Sequence, residues 1–364
     1  MRPSVVPVHP VTAGGRSLPG GLLAVHAHPD DETLATGGLL ATWADAGRPV
    51  TVVTCTRGEL GEVIGEPLAH LEGNGPALAA HREGELAAAL AALGVADHVF
   101  LDTVPDDDAP QEGARVRFSD SGMAWAGVGR AGRVADLPDD AFVAVPLDTA
   151  ARRLARVLRT RRPDVVVTYE PGGGYGHPDH VRAHEVTMRA LELARDAHQD
   201  LGGNAHAPAV VLVAVVPGDA LRAAYRALAG LPVLDALCAG DPRLTVPDPG
   251  GPLPSVAVAA DDVNLVVDVT PVLDRLIAAL AAHGTQVRSI TLDADLVARA
   301  ARAQRAGDRA GVVVGCFALS NDVLQPLLST ESYRQFGVDG ASVPTDAVTW
   351  PDAVTWPDAV FPVA

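Results

Sequence analysis

Two short stretches of the chain combine histidine with carboxylate residues at a spacing that suits a metal ion. In HAHPDDE, residues 26–32, His28 and Asp31 are three apart across a turn, so both can face one point. An imidazole nitrogen and a carboxylate oxygen are ordinary zinc ligands. Asp30, beside a ligand, is where a general base for water would lie. Taken alone, the stretch is equally well interpreted as an acidic helix N-terminus, with a capping Asp and Glu32 on the helix dipole.

The second stretch is YEPGGGYGHPDH, residues 169–180. Its His177 and His180 are again three apart, and its glycines allow the loop to approach a ligand closely. Here too a simpler interpretation exists, in which Asp179 caps a helix that has two histidines near its start. Two independent clusters of this kind are improbable by accident, so together they favour a metal site.

Three protein ligands and one open position are typical of a catalytic rather than a structural zinc site. The predicted ligands are His28, Asp31 and His180. His177 is then free of the metal and lies next to Asp179, whose carboxylate could hold it protonated for donation to a leaving nitrogen. A metal, a base and an acid are the parts of an amide hydrolase.

The elements around these stretches predict where they lie. Apolar runs at 21–27 and 165–168 precede them as strands, and helices are predicted after them at 33–46 and 179–197. Short apolar strands that alternate with helices predict an α/β fold, a Rossmann-like, mostly parallel sheet with helices on both faces. Ligands bind at the carboxyl edge of such sheets. Further strands are predicted at 49–55, 99–101, 210–216 and 312–319, and further helices at 77–93, 147–162, 271–282 and 293–306.

The domain organisation follows from changes in pattern along the chain. Residues 1–20 form a predicted N-terminal extension, and 21–218 the Rossmann-like catalytic core. Residues 219–340 are predicted to form a smaller α+β portion that completes the substrate pocket. The segment 341–364 repeats DAVTWP, and because proline at this period blocks helix and central strand alike, it is predicted to be flexible.

Composition excludes several classes of protein. The net charge is −17, and all 28 basic residues are arginine, so Schiff-base lysine chemistry and a P-loop are excluded. An acidic chain disfavours nucleic acid as a partner. Three cysteines lie far apart in apolar, strand-like runs, which predicts buried free thiols in a reducing cytoplasm. No run approaches the roughly 18 apolar residues of a membrane span, and no signal-peptide pattern is evident. A cytoplasmic protein without a membrane partner is predicted.

HPDDE after the first strand and GGYGHPDH later resemble the LmbE-like/PIG-L zinc-dependent N-acetylglucosaminyl deacetylases. Other stretches, in order over nearly all of 21–340, narrow the resemblance to the mycothiol-pathway N-acetylglucosaminyl-inositol deacetylases of actinobacteria. These stretches are VVTCTRGELGEVIG at 52–65, HREGEL at 81–86, DSGM at 120–123, AAHGTQV at 281–287 and FALSNDVLQPLL at 317–328.

The resemblance implies roles for particular residues. The implied metal is one zinc per subunit, with Fe²⁺ as an alternative, and the implied base is Asp30. His177 is implied as the acid or the oxyanion-stabilising group, and Tyr175 as a mobile residue that stabilises the tetrahedral intermediate. The implied zinc ligands are His28, Asp31 and His180, and the implied substrate-binding residues are Arg82, Asp120, Met123 and Glu62. Without the resemblance, Arg82 would be interpreted as a solvated helix residue and Asp120 as a turn residue.

The implied reaction is removal of acetate from 1-O-(2-acetamido-2-deoxy-alpha-D-glucopyranosyl)-1D-myo-inositol in mycothiol biosynthesis. The implied partner is this small pseudodisaccharide, and a homo-oligomer is left open. One alternative is a mycothiol S-conjugate amidase or a deacetylase of another N-acetylglucosaminyl substrate. A second is a non-catalytic nucleotide-binding module, for which the glycine run at 172–176 is the support.

Overall fold

The computed structural model describes residues 21–105, 117–125, 131–132, 137, 139–306, 311–336, 350–351 and 354–355. The predicted extension at 1–20 and most of the predicted tail lie outside the described residues.

The strands and helices alternate through the first part of the chain. The strands are β1 Leu22–His26, β2 Val50–Thr54, β3 Asp97–Phe100, β4 Ala124–Trp125, β5 Ala131–Gly132, β6 Val165–Tyr169, β7 Val210–Pro217, β8 Ala257–Val258, β9 Leu265–Asp268, β10 Arg288–Leu292, β11 Val313–Ala318, β12 Leu324–Leu328, β13 Thr330–Phe336 and β14 Val354–Thr355. The helices are α1 Asp31–Asp45, α2 Gly75–Leu93, α3 Leu147–Arg161, α4 Gly173–Gly176, α5 Pro178–Arg195, α6 Gly218–Leu228, α7 Leu234–Gly240, α8 Leu273–Ala282 and α9 Ala294–Arg305.

The central sheet is mixed and mostly parallel. Its strand order is β14-β9-β13-β7-β6-β1-β2-β3, and β8 pairs with β7 beside this path. The run from β7 to β3 is parallel throughout, which confirms the predicted α/β fold. Strand β13 inserts antiparallel between β7 and β9. The segment 219–340 therefore extends the same sheet.

Helices cover both faces of this sheet. Alternate residues of each strand point to opposite sides, so each strand contributes side chains to both layers. On β1, Leu22 packs in the layer of α1, α2 and α8, whereas Leu23 packs in the layer of α3 and α5. Helix α2 ends at Leu93 and is followed by Gly94, which adopts the left-handed conformation that glycine tolerates best. Both layers consist largely of Ala, Val and Leu, and Trp43 is the largest fully buried side chain among the described residues.

The C-terminal part also forms a separate three-stranded antiparallel sheet, β10-β11-β12, against which α6 packs. Cys316 is buried in β11, and Cys55 is buried just after β2. Cys238 is half-buried in helix α7, so the prediction of three buried, strand-like thiols is wrong for this one. Its run LDALCAG has the length and alanine content of a short helix. In the part of the chain that the structure describes, no helix is both long and apolar enough to cross a membrane.

Two short pieces of the tail are described. Val354 and Thr355 of β14 pair antiparallel with Val267 and Val266 of β9. The Trp350 ring meets the Trp43 ring edge-on, with centroids 5.7 Å apart.

Candidate active site

Two neighbouring parallel strands bring the motifs together. Strands β1 and β6 pair in register, Leu22 opposite Val165, and both end at the same edge of the sheet. The turn after β1 leads into α1 at Asp31, and the loop after β6 leads into α5 at Pro178. The two clusters therefore meet at the carboxyl edge, as the sequence predicts.

The three predicted metal ligands lie in contact. Nδ1 of His28 is 3.3 Å from Oδ2 of Asp31, and Nε2 of His180 is 3.2 Å from Oδ1 of the same carboxylate. All three residues are buried. Among the described residues, the groups of three whose ligand atoms all lie within 4.8 Å of one another both contain His28, one with His177 and His180 and one with Asp120 and Asp179, and Asp31 belongs to neither.

The outer contacts of the two imidazoles orient them for a cation. Nδ1 of His180 lies 3.1 Å from the Gly173 carbonyl, which can only accept, so this nitrogen carries the proton. Nε2 of His28 lies 3.2 Å from Asp179 Oδ2 and donates to it. The lone pairs on His180 Nε2 and His28 Nδ1 then both face the Asp31 carboxylate.

A lone pair that faces a carboxylate repels it unless a proton or a metal ion lies between the two. Nε2 of His180 is buried and has no hydrogen-bond partner within the described ranges. Although burial opposes it, Asp120, Asp179 and Asp31 raise the pKa of His28, so these carboxylates favour a positive charge at this ring, either a proton or a metal ion. The donor set of two imidazoles and a carboxylate therefore fits a divalent cation.

Asp30 lies beside this cluster in an unusual backbone conformation. Its φ is 122°, and its side chain makes no capping hydrogen bond to α1, so the capping interpretation of Asp30 is wrong. Its Oδ1 lies 3.4 Å from Nη2 of Arg82. Burial raises the pKa of Asp30 to about 7, with Arg82 lowering it and Asp31 raising it. A buried carboxyl that titrates near neutrality suits proton transfer.

The predicted pairing of the Asp179 carboxylate with His177 is wrong. Nδ1 of His177 instead accepts the backbone N–H of Asp179 at 3.1 Å, so His177 caps α5. The Asp179 carboxylate turns to His28 and to Ser121, which donates from its backbone N–H at 2.9 Å and its hydroxyl at 2.5 Å. Burial, together with His28 and His180, holds the pKa of His177 well below its usual value. His177 is a neutral ring here, and Asp179 orients His28.

Tyr175 lies on the glycine-rich turn that covers the site. Its half-buried ring meets His180 edge-on at 5.2 Å and His177 at 6.1 Å. The two glycines before it, Gly173 and Gly174, both have positive φ, a conformation that costs other residues free energy. The pKa of Tyr175 is raised by burial and by Asp31, so the hydroxyl keeps its proton.

The predicted substrate-binding residues differ in their surroundings. Arg82 is buried, and it donates to the backbone carbonyls of Gly58, at 2.8 Å, and Pro29. Asp120 is also buried, accepts the Gly122 and Leu60 N–H groups and lies 3.6 Å from His28. Glu62 is exposed and Met123 half-buried. The structure thus places Arg82 beside Asp30 and Asp120 beside His28. The Arg82 guanidinium donates its hydrogen bonds to backbone carbonyls of the protein.

Reasoning from the sequence misses the roles of three residues at the site. Glu32 and His283 are both fully buried, and His283 Nε2 lies 2.8 Å from Glu32 Oε1. Against the effect of burial, His283 lowers the pKa of Glu32 to about 2. Tyr169 stacks on His180 with centroids 4.3 Å apart, and its hydroxyl accepts the Ala27 N–H. The sequence contains these residues within its two motifs and the 281–287 stretch, yet no local spacing links Glu32 to a histidine 251 positions away.

A histidine and carboxylate cluster that fits a cation, with a buried base beside it at the edge of a mostly parallel sheet, defines a metal-dependent hydrolase. The GlcNAc-PI de-N-acetylase family, PIG-L, matches residues 23–191. A Kineococcus radiotolerans protein named 1D-myo-inositol 2-acetamido-2-deoxy-alpha-D-glucopyranoside deacetylase is 46% identical over 318 residues, 87% of this chain and 77% of that protein. A Nocardioides protein of the same name is 41% identical over 270 residues, 73% of this chain and 83% of its own.

The chain belongs to the PIG-L family of hydrolytic deacetylases, which confirms the predicted resemblance. Among solved structures, the N,N'-diacetylchitobiose deacetylase of Pyrococcus horikoshii aligns with a TM-score of 0.49 and 16% identity, covering 90% of this chain and 88% of that one.

Proposed function

We propose that this protein is a zinc-dependent deacetylase that hydrolyses the N-acetyl group of 1-O-(2-acetamido-2-deoxy-alpha-D-glucopyranosyl)-1D-myo-inositol, a step of mycothiol biosynthesis. The chemistry rests on one observation, the convergence of His28, Asp31 and His180 beside Asp30. The substrate is taken from the name of relatives that are 41–46% identical.

His28, through Nδ1, the Asp31 carboxylate and His180, through Nε2, would hold the proposed ion. This donor set suits Zn²⁺ and also Fe²⁺. When bound, the cation supplies Lewis-acid polarisation of the amide carbonyl and acidifies water. Asp179 and the Gly173 carbonyl keep the two imidazoles in the tautomers that ligation needs.

Asp30 is the proposed general base. It takes a proton from the water that attacks the amide carbon, while the carbonyl π electrons move onto oxygen. Its pKa of about 7, which burial sets against the opposing effect of Arg82, allows it both to accept and to return that proton. The oxyanion then re-forms the carbonyl as the C–N bond breaks and the proton passes from Asp30 to nitrogen, so the free amine and acetic acid leave, and the acid gives its proton to solvent to become acetate.

His177 is proposed as a neutral hydrogen-bond donor to the oxyanion. Because its Nδ1 accepts from the Asp179 backbone, the neutral ring carries its proton on Nε2. Burial, His28 and His180 keep its pKa low, so the ring donates a hydrogen bond rather than a proton at neutral pH. Tyr175, which retains its hydroxyl proton, is proposed as a second donor.

The direct test is release of acetate and free amine from N-acetylglucosaminyl-inositol. Activity should disappear when a chelator removes the metal, and Zn²⁺ or Fe²⁺ should restore it. A mycothiol–bimane conjugate serves as the comparison substrate. A higher kcat/KM for the conjugate, or full activity in chelator, would contradict the proposal.

A further inference from the structure

The peptide unit between Pro29 and Asp30 is held at both ends by charged side chains. Its carbonyl oxygen, on Pro29, accepts from Arg82 Nη2. Its N–H, on Asp30, donates to Glu32 Oε2 at 2.9 Å. Asp30 has φ 122° and ψ −34°, which an L-residue rarely adopts. Such a conformation costs free energy and persists where surrounding contacts fix it.

Glu32 can fix the position of this peptide unit because hydrogen bonds fix the position of its own carboxylate. It is fully buried, and a buried charge is stable where hydrogen bonds compensate it. Its Oε1 accepts from the Thr33 hydroxyl at 2.5 Å and from Nε2 of His283 at 2.8 Å. Both carboxylate oxygens are therefore engaged, one by Asp30 and the other by Thr33 and His283.

His283 comes from a distant part of the chain. It follows α8, which packs against α1 and α2, and it is fully buried. Its carbonyl oxygen accepts the backbone N–H groups of Gln286 and Val287, so a tight turn fixes its position. The turn after α8 is thus linked to Asp30 through the Glu32 side chain.

We propose that Glu32 and His283 are positioning residues that hold Asp30 in its strained conformation and direct its carboxylate to the attacking water. This inference rests on the proposed function, in which Asp30 is the base. Without the clamp, Asp30 would relax to an ordinary helix N-cap, with negative φ and its carboxylate bonded to the N–H groups of the first turn of α1. In that conformation the carboxylate would be committed to capping.

The first test compares two variants at one position. His283→Leu removes the donor to Glu32, whereas His283→Gln keeps an N–H donor at a similar reach. We expect His283→Leu to lower kcat about ten- to a hundred-fold, since small misplacement of a catalytic group has effects of that size. KM should stay within about two-fold, because ground-state binding is not removed. His283→Gln should restore most of kcat, and metal content should be equal in all three proteins.

A matched control acts on the middle of helix α1. Glu331 of strand β13 is a half-buried carboxylate that accepts the N–H groups of Gly38, at 2.6 Å, and Leu39, at 2.8 Å. Glu331→Gln therefore perturbs α1 without touching Asp30, and it should lower Tm while kcat is unchanged. If His283→Leu and His283→Gln lose kcat equally while folded and metal-loaded, the positioning role is overturned.

Coupling to Asp30 gives the second test. Asp30→Asn should already be slow, and adding His283→Leu should not slow it further, because both changes remove the same function. An equal loss in both backgrounds would overturn the inference. If Asp30→Asn keeps full activity, it is the assignment of the base that fails.

Crystal structures decide the question without any substrate. In His283→Leu we expect φ of Asp30 to become negative and the contact between the Asp30 N–H and Glu32 to lengthen. In His283→Gln both should match the parent protein. A φ that stays near 122° in His283→Leu would overturn the inference, even if the parent protein proved inactive toward N-acetylglucosaminyl-inositol and the proposed function failed.

Discussion

At the scale of single residues, Asp30 differs from the predicted metal ligands in the groups that its carboxylate contacts. Asp31 lies between two imidazoles, whereas Asp30 faces Arg82. We expect Asp30→Asn to lower kcat by about 10²- to 10⁴-fold, the range for loss of a general base. Metal content should be unchanged, which elemental analysis of the purified protein can check. A variant that loses its metal together with its activity would place Asp30 among the ligands.

Asp179 has a different role, since its carboxylate accepts from His28 and Ser121. Asp179→Asn weakens the contact that fixes the His28 tautomer, so metal affinity should fall about 10- to 100-fold. Competition with a chelating dye measures this directly. Ser121→Ala removes the hydroxyl, one of the three donors to the Asp179 carboxylate, and should have a smaller effect in the same direction. Unchanged metal affinity in Asp179→Asn would show that His28 does not depend on this carboxylate.

At the scale of elements, the turn before α5 carries much of the site. Gly173 has φ 69°, and a Cβ there would lie 2.8 Å from the Val181 nitrogen and 3.0 Å from the His180 Cβ. Gly173→Ala should therefore destabilise the fold by about 1–3 kcal/mol. It should also weaken metal binding, because the Gly173 carbonyl accepts from His180. Thermal unfolding with and without metal measures both effects.

Helix α2 provides the control for that substitution. Gly84 is exposed within the helix, and a Cβ there would meet nothing within 4 Å. Gly84→Ala should stabilise the protein by about 0.5–1 kcal/mol, the helix preference of alanine over glycine. Equal losses at both glycines would mean that the turn is not under the steric constraint described above.

At the scale of the whole molecule, the sequence predicts what depends on local pattern. The alternation of apolar strands and helices predicts the parallel part of the sheet, and the motif after each of β1 and β6 predicts that the clusters meet. Pairings between distant segments carry no such signal. The insertion of β13 between β7 and β9, and the contact of Glu32 with His283, depend on packing of the whole chain. The direction of the Asp179 side chain is likewise set by Ser121, 58 residues away.

The tail offers a last test at this scale. Trp350 meets Trp43 edge-on at 5.7 Å, and β14 extends the sheet beyond β9. Trp43 lies near the C-terminal end of α1, whereas the predicted metal ligand Asp31 is at its N-terminal end, about 18 Å away at 1.5 Å per residue. Trp350→Ala should therefore lower stability by about 1–2 kcal/mol, from lost aromatic contact and buried area, and leave kcat unchanged.

Trp350→Phe keeps an aromatic ring against Trp43 and should retain most of that stability. Urea unfolding of the three proteins, followed by Trp fluorescence and by far-UV circular dichroism, separates the contact from the loss of a fluorophore. If Trp350→Ala unfolds at the same urea concentration as the parent protein, the contact of Trp350 with Trp43 contributes nothing to the stability of the fold. If kcat falls while stability holds, the repeat acts on the site by a route that the contacts of Trp350 do not supply.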